Sequence, residues 1–425
     1  MGFLHKRTNL KKKLLTLLFC LTSSSFANEV CEINSNTLLK QLITTHPSIM
    51  MSQEIIKGSK AKIDSAYWGF FPTPSVDVSA RNGDNYTTVA RLDQPVWTGG
   101  KITSKYDIAK SQELENLNGL KETSFKLIEN YFAIIEKYTQ AKSNIIELEI
   151  GLKNLEALED MLKRRINSGI SSSSDNQLLS ARIQQTQSDL VLAKNKYKVS
   201  IMQLELILDE KISCDINLSN IKILHSNKIE DTINRLLAFH PSITKADTQI
   251  QTAKYELENV KASIMPNLSL RAEHRRGDLY SDDYDKDSSN QSVVYFTFTA
   301  STSSGLSALS DIEASKLRVS ELKFKKQTVK KELIDSVLSD YNNYEIAKTR
   351  IKILKKSVLS ANNVLESYKR LFIAGKKQWL NLVDASRELM NYKIQLANAQ
   401  TNKNILAYKL ALKNGQIDLL NGDIL

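Results

Sequence analysis

A duplicated sequence most constrains what this chain can fold into. Residues 46–49 read His-Pro-Ser-Ile, and residues 240–243 read the same. Between 278 and 293 the second copy carries about 11 extra residues, an acidic segment typical of a lengthened loop. The sequence therefore predicts two copies of one structural unit, residues 28–225 and 226–425.

Each copy contains a long segment without proline that begins after one glycine, Gly100 or Gly305, and ends at another, Gly169 or Gly375. Apolar residues recur at the a and d heptad positions of both segments: Ile145, Leu148, Leu152, Leu155 and Leu162 in the first, and Ile351, Leu354, Val358, Ala361, Leu365, Tyr368 and Phe372 in the second. This spacing predicts two coiled-coil helices, each on the order of 100 Å long. Four helices of half that length are predicted to pack against them, at 36–71, 176–212, 228–264 and 376–413.

Short segments of alternating polarity lie at the other end of each copy and predict hairpins at about 74–97 and 267–300. Strands of this kind are the weak signature of a transmembrane β-barrel, although soluble hairpins look similar. Four strands cannot close a barrel, whereas three chains would supply about 12 strands around a water-filled pore. The predicted fold is mainly α with a small β part: a coiled-coil α-helical barrel continuous with a transmembrane β-barrel.

Residues 1–27 have the pattern of a secretory signal peptide, because a basic start precedes a short apolar run and a Ser-Phe-Ala cleavage site. A membrane anchor is the alternative, but the apolar run is too short to span a bilayer. Outside the cytoplasm Cys31 and Cys214 could form a disulfide or stay as two buried thiols. The net charge of +11 is spread over Lys/Glu mixtures, which argues against a nucleic-acid surface.

No arrangement of residues in the sequence indicates catalysis, a metal site or a cofactor. His46 and His240 repeat, but a His-Pro pair is most simply the start of a helix, because proline fits the first helical turn. We therefore expect a protein that is not an enzyme and has no cofactor.

Residues 94–101 read Gln-Pro-Val-Trp-Thr-Gly-Gly-Lys at the end of the first hairpin. With the duplicated His-Pro segments and the two glycine turns, this order resembles the TolC family of outer-membrane channel proteins over about residues 35–415. The second turn, 374–385, is most similar to members that serve type I secretion of large adhesins. The resemblance implies a homotrimer whose 12-stranded barrel in the outer membrane continues into a periplasmic helical tunnel.

The resemblance also implies which residues close the tunnel. In the family an aspartate six residues after the first glycine pairs with a basic residue two after the second, here Asp175 and Lys377; the alternative is two solvated charges. Two acidic positions of the family's constriction are Asn381 and Asp384 here, so one acidic ring remains. Phe372 stands where the family often places a gate tyrosine, and its heptad position favours plain packing.

The turns themselves are expected to dock a periplasmic adaptor through Gly169, Ile170, Ser171, Gly375 and Lys376. Glycine permits a close backbone approach, although helix capping alone would also explain it. An inner-membrane ABC transporter or efflux pump would complete the export path. The alternatives are the outer-membrane component of a multidrug efflux pump and, from another class, a periplasmic coiled-coil adaptor or scaffold.

Overall fold

A computed structural model of the chain describes residues 32–80, 86–217, 229–277, 290–301 and 306–415. The predicted signal peptide, Cys31, Gly305 and most of the acidic loop lie outside these ranges. In chain order the elements are β1 (Glu32–Asn34), α1 (Ser35–Thr45), α2 (Pro47–Trp68), β2 (Thr73–Ala80), β3 (Tyr86–Trp97), α3 (Lys101–Asn167), α4 (Ser173–Leu208), β4 (Asp215–Asn217), α5 (Ile229–Phe239), α6 (Pro241–Ala262), β5 (Asn267–Arg276), β6 (Asn290–Thr299), α7 (Ser307–Ile373) and α8 (Trp379–Lys413). The prediction of a mainly helical chain is confirmed.

The two long helices, α3 and α7, each contain 67 residues without a break. The predicted heptad residues Leu148, Leu155, Leu354, Leu365 and Phe372 are buried between helices. Because the stripe covers one face only, each long helix needs partners along its whole length.

Helices of half that length supply these partners. α3 packs against α2, α4, α6 and α8, whereas α7 packs against α6 and α8. The chain therefore forms a row of helices. The half-length helices α2 and α4 lie on one side of α3, and the half-length helices α6 and α8 lie between α3 and α7. A four-stranded antiparallel sheet continues the row with the same order, β2-β3-β5-β6.

Two predicted helices are each divided in the structure. The segments 36–71 and 228–264 were expected to be continuous, but α1 ends before His46 and α5 ends before His240. Proline disfavours the helical conformation in the residue before it, and both histidines are extended, with ψ of 134° and 127°. Each histidine then caps the following helix by accepting a hydrogen bond from the second residue after it.

The middle of the molecule contains a two-stranded parallel ladder that the sequence did not predict. β1 and β4 pair Glu32 with Asp215 and Asn34 with Asn217. Strands of three residues are too short to show an alternating pattern. Tyr138 of α3 fixes the ladder, because its hydroxyl contacts Asp215 Oδ1 at 3.2 Å and the backbone nitrogen of Ile216 at 3.3 Å.

Apolar clusters at several levels hold the row together. One joins α1, α2, α3, α4 and α8 around Phe125, Tyr131 and Phe132. Another joins α3, α4, α7 and α8 at the far end around Leu162, Leu179 and Leu382. None of the helices within the described ranges is both long enough and apolar enough to cross a bilayer.

Candidate functional site

The far end of the row is formed by two turns of the same construction. Gly169 follows α3 and Gly375 follows α7, and both have a φ of 72°. In the first turn Ile170 N–H donates to Arg165 O and Gly169 N–H to Ile166 O, each at 2.9 Å. In the second turn Lys376 and Gly375 make the matching bonds, so both turns are Schellman caps.

Glycine is required in these turns because of the backbone conformation. No atom of the described chain lies within 4 Å of a Cβ built at Gly169 or Gly375. A positive φ alone disfavours other residues here. Helix capping is therefore sufficient to explain both glycines within one chain.

The predicted gate residues Asp175 and Lys377 are half-buried at the starts of the return segments, but they make no ion pair with each other within the described part of a single chain. Asp175 lies in the first turn of α4, where a carboxylate is favoured by the helix dipole. Lys377 Nζ instead lies 4.4 Å from the ring centre of Tyr368. The contact between Asp175 and Lys377 that the resemblance implies stays a prediction.

The first turns of α8 hold the two predicted constriction residues. Asp384 is exposed, whereas Asn381 is half-buried. Their neighbours Leu382 and Val383 are both buried and anchor this end of α8 in the apolar cluster. The carboxylate of Asp384 is therefore held on a fixed surface and faces solvent.

Phe372 is in contact with a residue that the sequence analysis missed. Its side chain is 5% exposed, and Arg165 Cζ lies 4.6 Å from its ring centre. Arg165 Nη1 also donates to Phe372 O at 3.0 Å. The only signal in the sequence is an asymmetry, because the matching residue four before the second glycine is Leu371.

At the opposite end, one face of the sheet carries paired charges. Arg91 of β3 contacts Asp77 of β2, and its Nε lies 2.9 Å from Glu273 Oε2 of β5. Arg271 Nε of β5 lies 2.5 Å from Asp93 Oδ1 of β3. The pairs of Arg91 with Glu273 and of Asp93 with Arg271 join the two hairpins across the β3–β5 boundary.

The other face of the sheet is apolar and exposed. Cross-strand neighbours on this face include Leu268 with Phe298 and Leu270 with Phe296. The exposed fractions are 68% for Phe298, 66% for Phe296 and 68% for Val78. An exposed apolar surface of this kind is unfavourable in water, so it indicates a site of contact with lipid or protein.

The described residues contain no group of three or more His, Cys, Asp or Glu side chains that could hold a metal ion. His240 is 7% exposed, and its ring lies 5.0 Å from the Phe125 ring. Burial and the nearby charges of Lys413 and Lys126 lower the pKa of His240 to about 4, against an opposing effect of Glu122. His240 is therefore a neutral cap at neutral pH.

Comparisons with known proteins agree with this architecture. Residues 232–412 match the family model described as outer membrane efflux protein. The chain is 21% identical to outer membrane protein TolC of Escherichia coli, over 97% of this chain and 88% of TolC. Among solved structures, VceC of Vibrio cholerae aligns over 89% of this chain and 95% of its own, with a TM-score of 0.77 and 14% identity.

CusC is similar to the same degree, with a TM-score of 0.77 over 89% of this chain and 91% of CusC, at 14% identity. The two solved structures share the fold, and the match to TolC extends over almost the whole sequence. These matches confirm the resemblance inferred from the duplicated segments and glycine turns: the chain is similar to the TolC family of outer-membrane channel proteins, and its residues 232–412 match the outer membrane efflux protein family.

Proposed function

We propose that this protein is the outer-membrane conduit of a tripartite export system and acts as a homotrimer. The observation that carries the proposal is the open row of strands and helices. β2 and β6 are the outer strands of the described sheet, and each pairs on one side only. An edge strand of this length exposes unpaired backbone groups that a second chain can satisfy.

Exposed apolar residues along both edges of the row support closure by further copies of the chain. On α4, Leu178, Leu192, Val199 and Leu206 are separated by multiples of seven and are 41%, 56%, 43% and 83% exposed. On α7, Ile346 and Ile353 are also seven residues apart and are 61% and 60% exposed. Heptad spacing on two outer helices is typical of a coiled-coil seam. Three chains would close about 12 strands into a barrel wide enough for water.

The two faces of the sheet support a position in the outer membrane, which is also where the names of its TolC relatives place those proteins. The apolar face would contact lipid, and the face with paired charges would line the pore. An outer-membrane position requires export, so residues 1–27 are proposed to be a signal peptide. The protein would contribute passage rather than catalysis.

The turns at Gly169 and Gly375 are proposed as the periplasmic tip. Ile170 is 64% exposed beside the first turn, which makes Gly169, Ile170, Ser171, Gly375 and Lys376 suitable for contact with an adaptor protein. Asp175 and Lys377 of neighbouring chains would hold the tip closed. Three copies of Asp384 would form one acidic ring, with Asn381 nearby, that attracts cations.

Type I protein secretion with an ABC transporter is the proposed pathway, because the second turn resembles the secretion members of the family. The alternative is multidrug efflux, in which the same conduit serves a different pump. Cargo release from cells that carry each candidate pump would distinguish the two pathways.

A disulfide between Cys31 and Cys214 is proposed to tie the start of the chain to its middle. Cys214 is disulfide-bonded, and Cys31 lies outside the described residues. The two cysteines immediately precede Glu32 and Asp215, which pair in the β1–β4 ladder. Peptide mapping without reductant should find the two cysteine peptides linked, whereas free Cys31 would contradict the pairing.

The proposal is tested by purifying the protein from outer membranes, measuring its mass in detergent and recording conductance in a planar bilayer. A trimer that forms small, steady pores is the expected result. A monomer without conductance would contradict the conduit and favour a periplasmic scaffold.

A further inference from the structure

We infer that Arg165 is a latch that couples the two turns of the tip and holds the proposed conduit closed. The inference rests on the proposed conduit for its effect on conductance. The contact itself is a property of the single chain and has its own test.

Arg165 takes part in both turns through different groups. Its backbone carbonyl accepts the Ile170 N–H at 2.9 Å and so ends the first turn. Its guanidinium donates to Phe372 O at 3.0 Å. The Phe372 carbonyl also accepts the Gly375 N–H of the second turn, at 3.0 Å. One residue thus completes the hydrogen bonding of two helix ends that belong to different hairpins.

The contact between Arg165 and Phe372 has a defined geometry as well as an electrostatic attraction. Arg165 Cζ lies 4.6 Å from the Phe372 ring centre, so the planar guanidinium combines a cation–π contact with the hydrogen bond. Phe372 is itself buried in the apolar cluster that joins α3, α4, α7 and α8. Movement of one hairpin away from the other would therefore break the Arg165 contact.

One donor of the latch has no acceptor among the described residues. Arg165 Nε is buried without a hydrogen-bond partner in the part of the chain that the structure describes. A buried donor in this state is costly, which makes this arrangement of the two hairpins easier to leave than a fully satisfied one. This is the property expected of a contact that must open when a partner docks.

The two parts of the Asp175–Lys377 pair do not meet within the chain, whereas Arg165 and Phe372 do. Lys377 lies over Tyr368 on its own hairpin, so it does not join the two hairpins here. We infer that the contact within each chain is made by Arg165, at the position where the second copy has Leu371.

The decisive variant is Arg165→Met, which keeps an unbranched, flexible side chain and removes the guanidinium. Arg164→Met is the matched control, because Arg164 is also in the last turn of α3, is exposed and carries the same charge. Arg165→Lys retains a cation with N–H donors but lacks the planar guanidinium, so it should show a smaller effect than Arg165→Met.

Hydrogen exchange in the full-length protein tests the latch itself. In Arg165→Met the amides of Gly375 and Lys376 should exchange at least about tenfold faster, because a charge-assisted hydrogen bond is lost from this turn. The amides of Gly169 and Ile170 should change less, because the Arg165 carbonyl remains. Equal exchange in wild type and Arg165→Met would overturn the inference.

Conductance tests its consequence. Arg165→Met should raise the open fraction of channels roughly tenfold relative to wild type and Arg164→Met, with the trimer mass unchanged. An equal rise in Arg164→Met, or no rise in either variant, would overturn the gating role. If wild type itself forms no pores, the proposed conduit fails, and hydrogen exchange still decides whether Arg165 joins the turns.

Discussion

His240 and His46 occupy the same place in the repeat, yet their surroundings differ. Both accept a hydrogen bond from a serine N–H at 3.2 Å and so cap a helix. His240 is nearly buried beside Phe125 and faces Lys413, Lys126 and Glu122, whereas His46 is half-buried. Protonation of His240 would create a charge in a desolvated place and would also remove the hydrogen-bond acceptor that caps the helix.

The free energy of unfolding should therefore fall as the pH is lowered through the range between the unfolded and folded pKa values of His240. The pKa of this side chain is about 4 in the folded protein and about 6.5 when unfolded, so the unfolded chain binds more protons between these values. Lowering the pH from 7 to 5 should cost about 2 kcal/mol of unfolding free energy at this residue. The measurement is the denaturation midpoint of wild type and His240→Asn, whose amide caps without titrating.

His46→Asn is the control for that experiment, because it changes the matching cap at a more accessible site. The His240→Asn protein should lose part of the pH dependence between 5 and 7. The same slope in wild type and His240→Asn would contradict the assignment.

Asp384 gives a second prediction at the residue scale. Asp384→Asn should weaken channel block by multivalent cations several-fold, because the proposed acidic ring would lose its charge. Glu366→Gln, an exposed change of equal charge on α7, is the control. Unchanged block by Asp384→Asn in a conducting channel would remove this residue from the constriction.

Helix ends account for most of what the sequence could predict at the scale of elements. Proline-free segments between glycines located α3 and α7, because a glycine in the left-handed region ends a helix visibly. The helix starts at His46 and His240 were predicted from the His-Pro pairs, but α1 and α5 were not predicted as separate helices, because the apolar pattern continues across each break. Arg165 was missed for a different reason: a basic residue in the last helical turn ordinarily complements the helix dipole and needs no distant partner.

Substitution of glycine by alanine should change the stability of the protein in opposite directions at two positions. Gly375→Ala should destabilise the protein by about 1 kcal/mol, since alanine is strained at positive φ. Gly58→Ala should stabilise it by about 0.5–1 kcal/mol, because Gly58 lies inside α2 with free space around it. Denaturation midpoints of both variants would test this, and equal shifts in the same direction would contradict it.

Within the described residues the molecule is a row of helices and strands with two exposed edges, which the proposed trimer would cover. The sequence indicated this indirectly, because four strands cannot close on themselves. It could not indicate which apolar residues face another chain, since a heptad stripe looks the same within a chain as between chains.

Substitutions at the edges should therefore affect assembly. Leu206→Asp on α4 or Ile353→Asp on α7 should reduce the trimer fraction, because each would bury a charge in the proposed seam. Ile150→Asp is the control, because Ile150 is exposed on α3 inside the row. Mass measurement in detergent is the readout, and trimers of normal stability in both edge variants would contradict the seam.

The ion pairs on the sheet have an electrical consequence for transport. Asp77, Asp93 and Glu273 balance Arg91, Arg271 and Arg275, so the six side chains sum to zero. In the proposed trimer the pore lining of the sheet would be electrically neutral. Its fixed charges compensate one another and would offer little attraction to a passing ion or peptide of either sign. Discrimination between cargoes would then occur at the periplasmic mouth, and the outer segment would serve as an unselective exit.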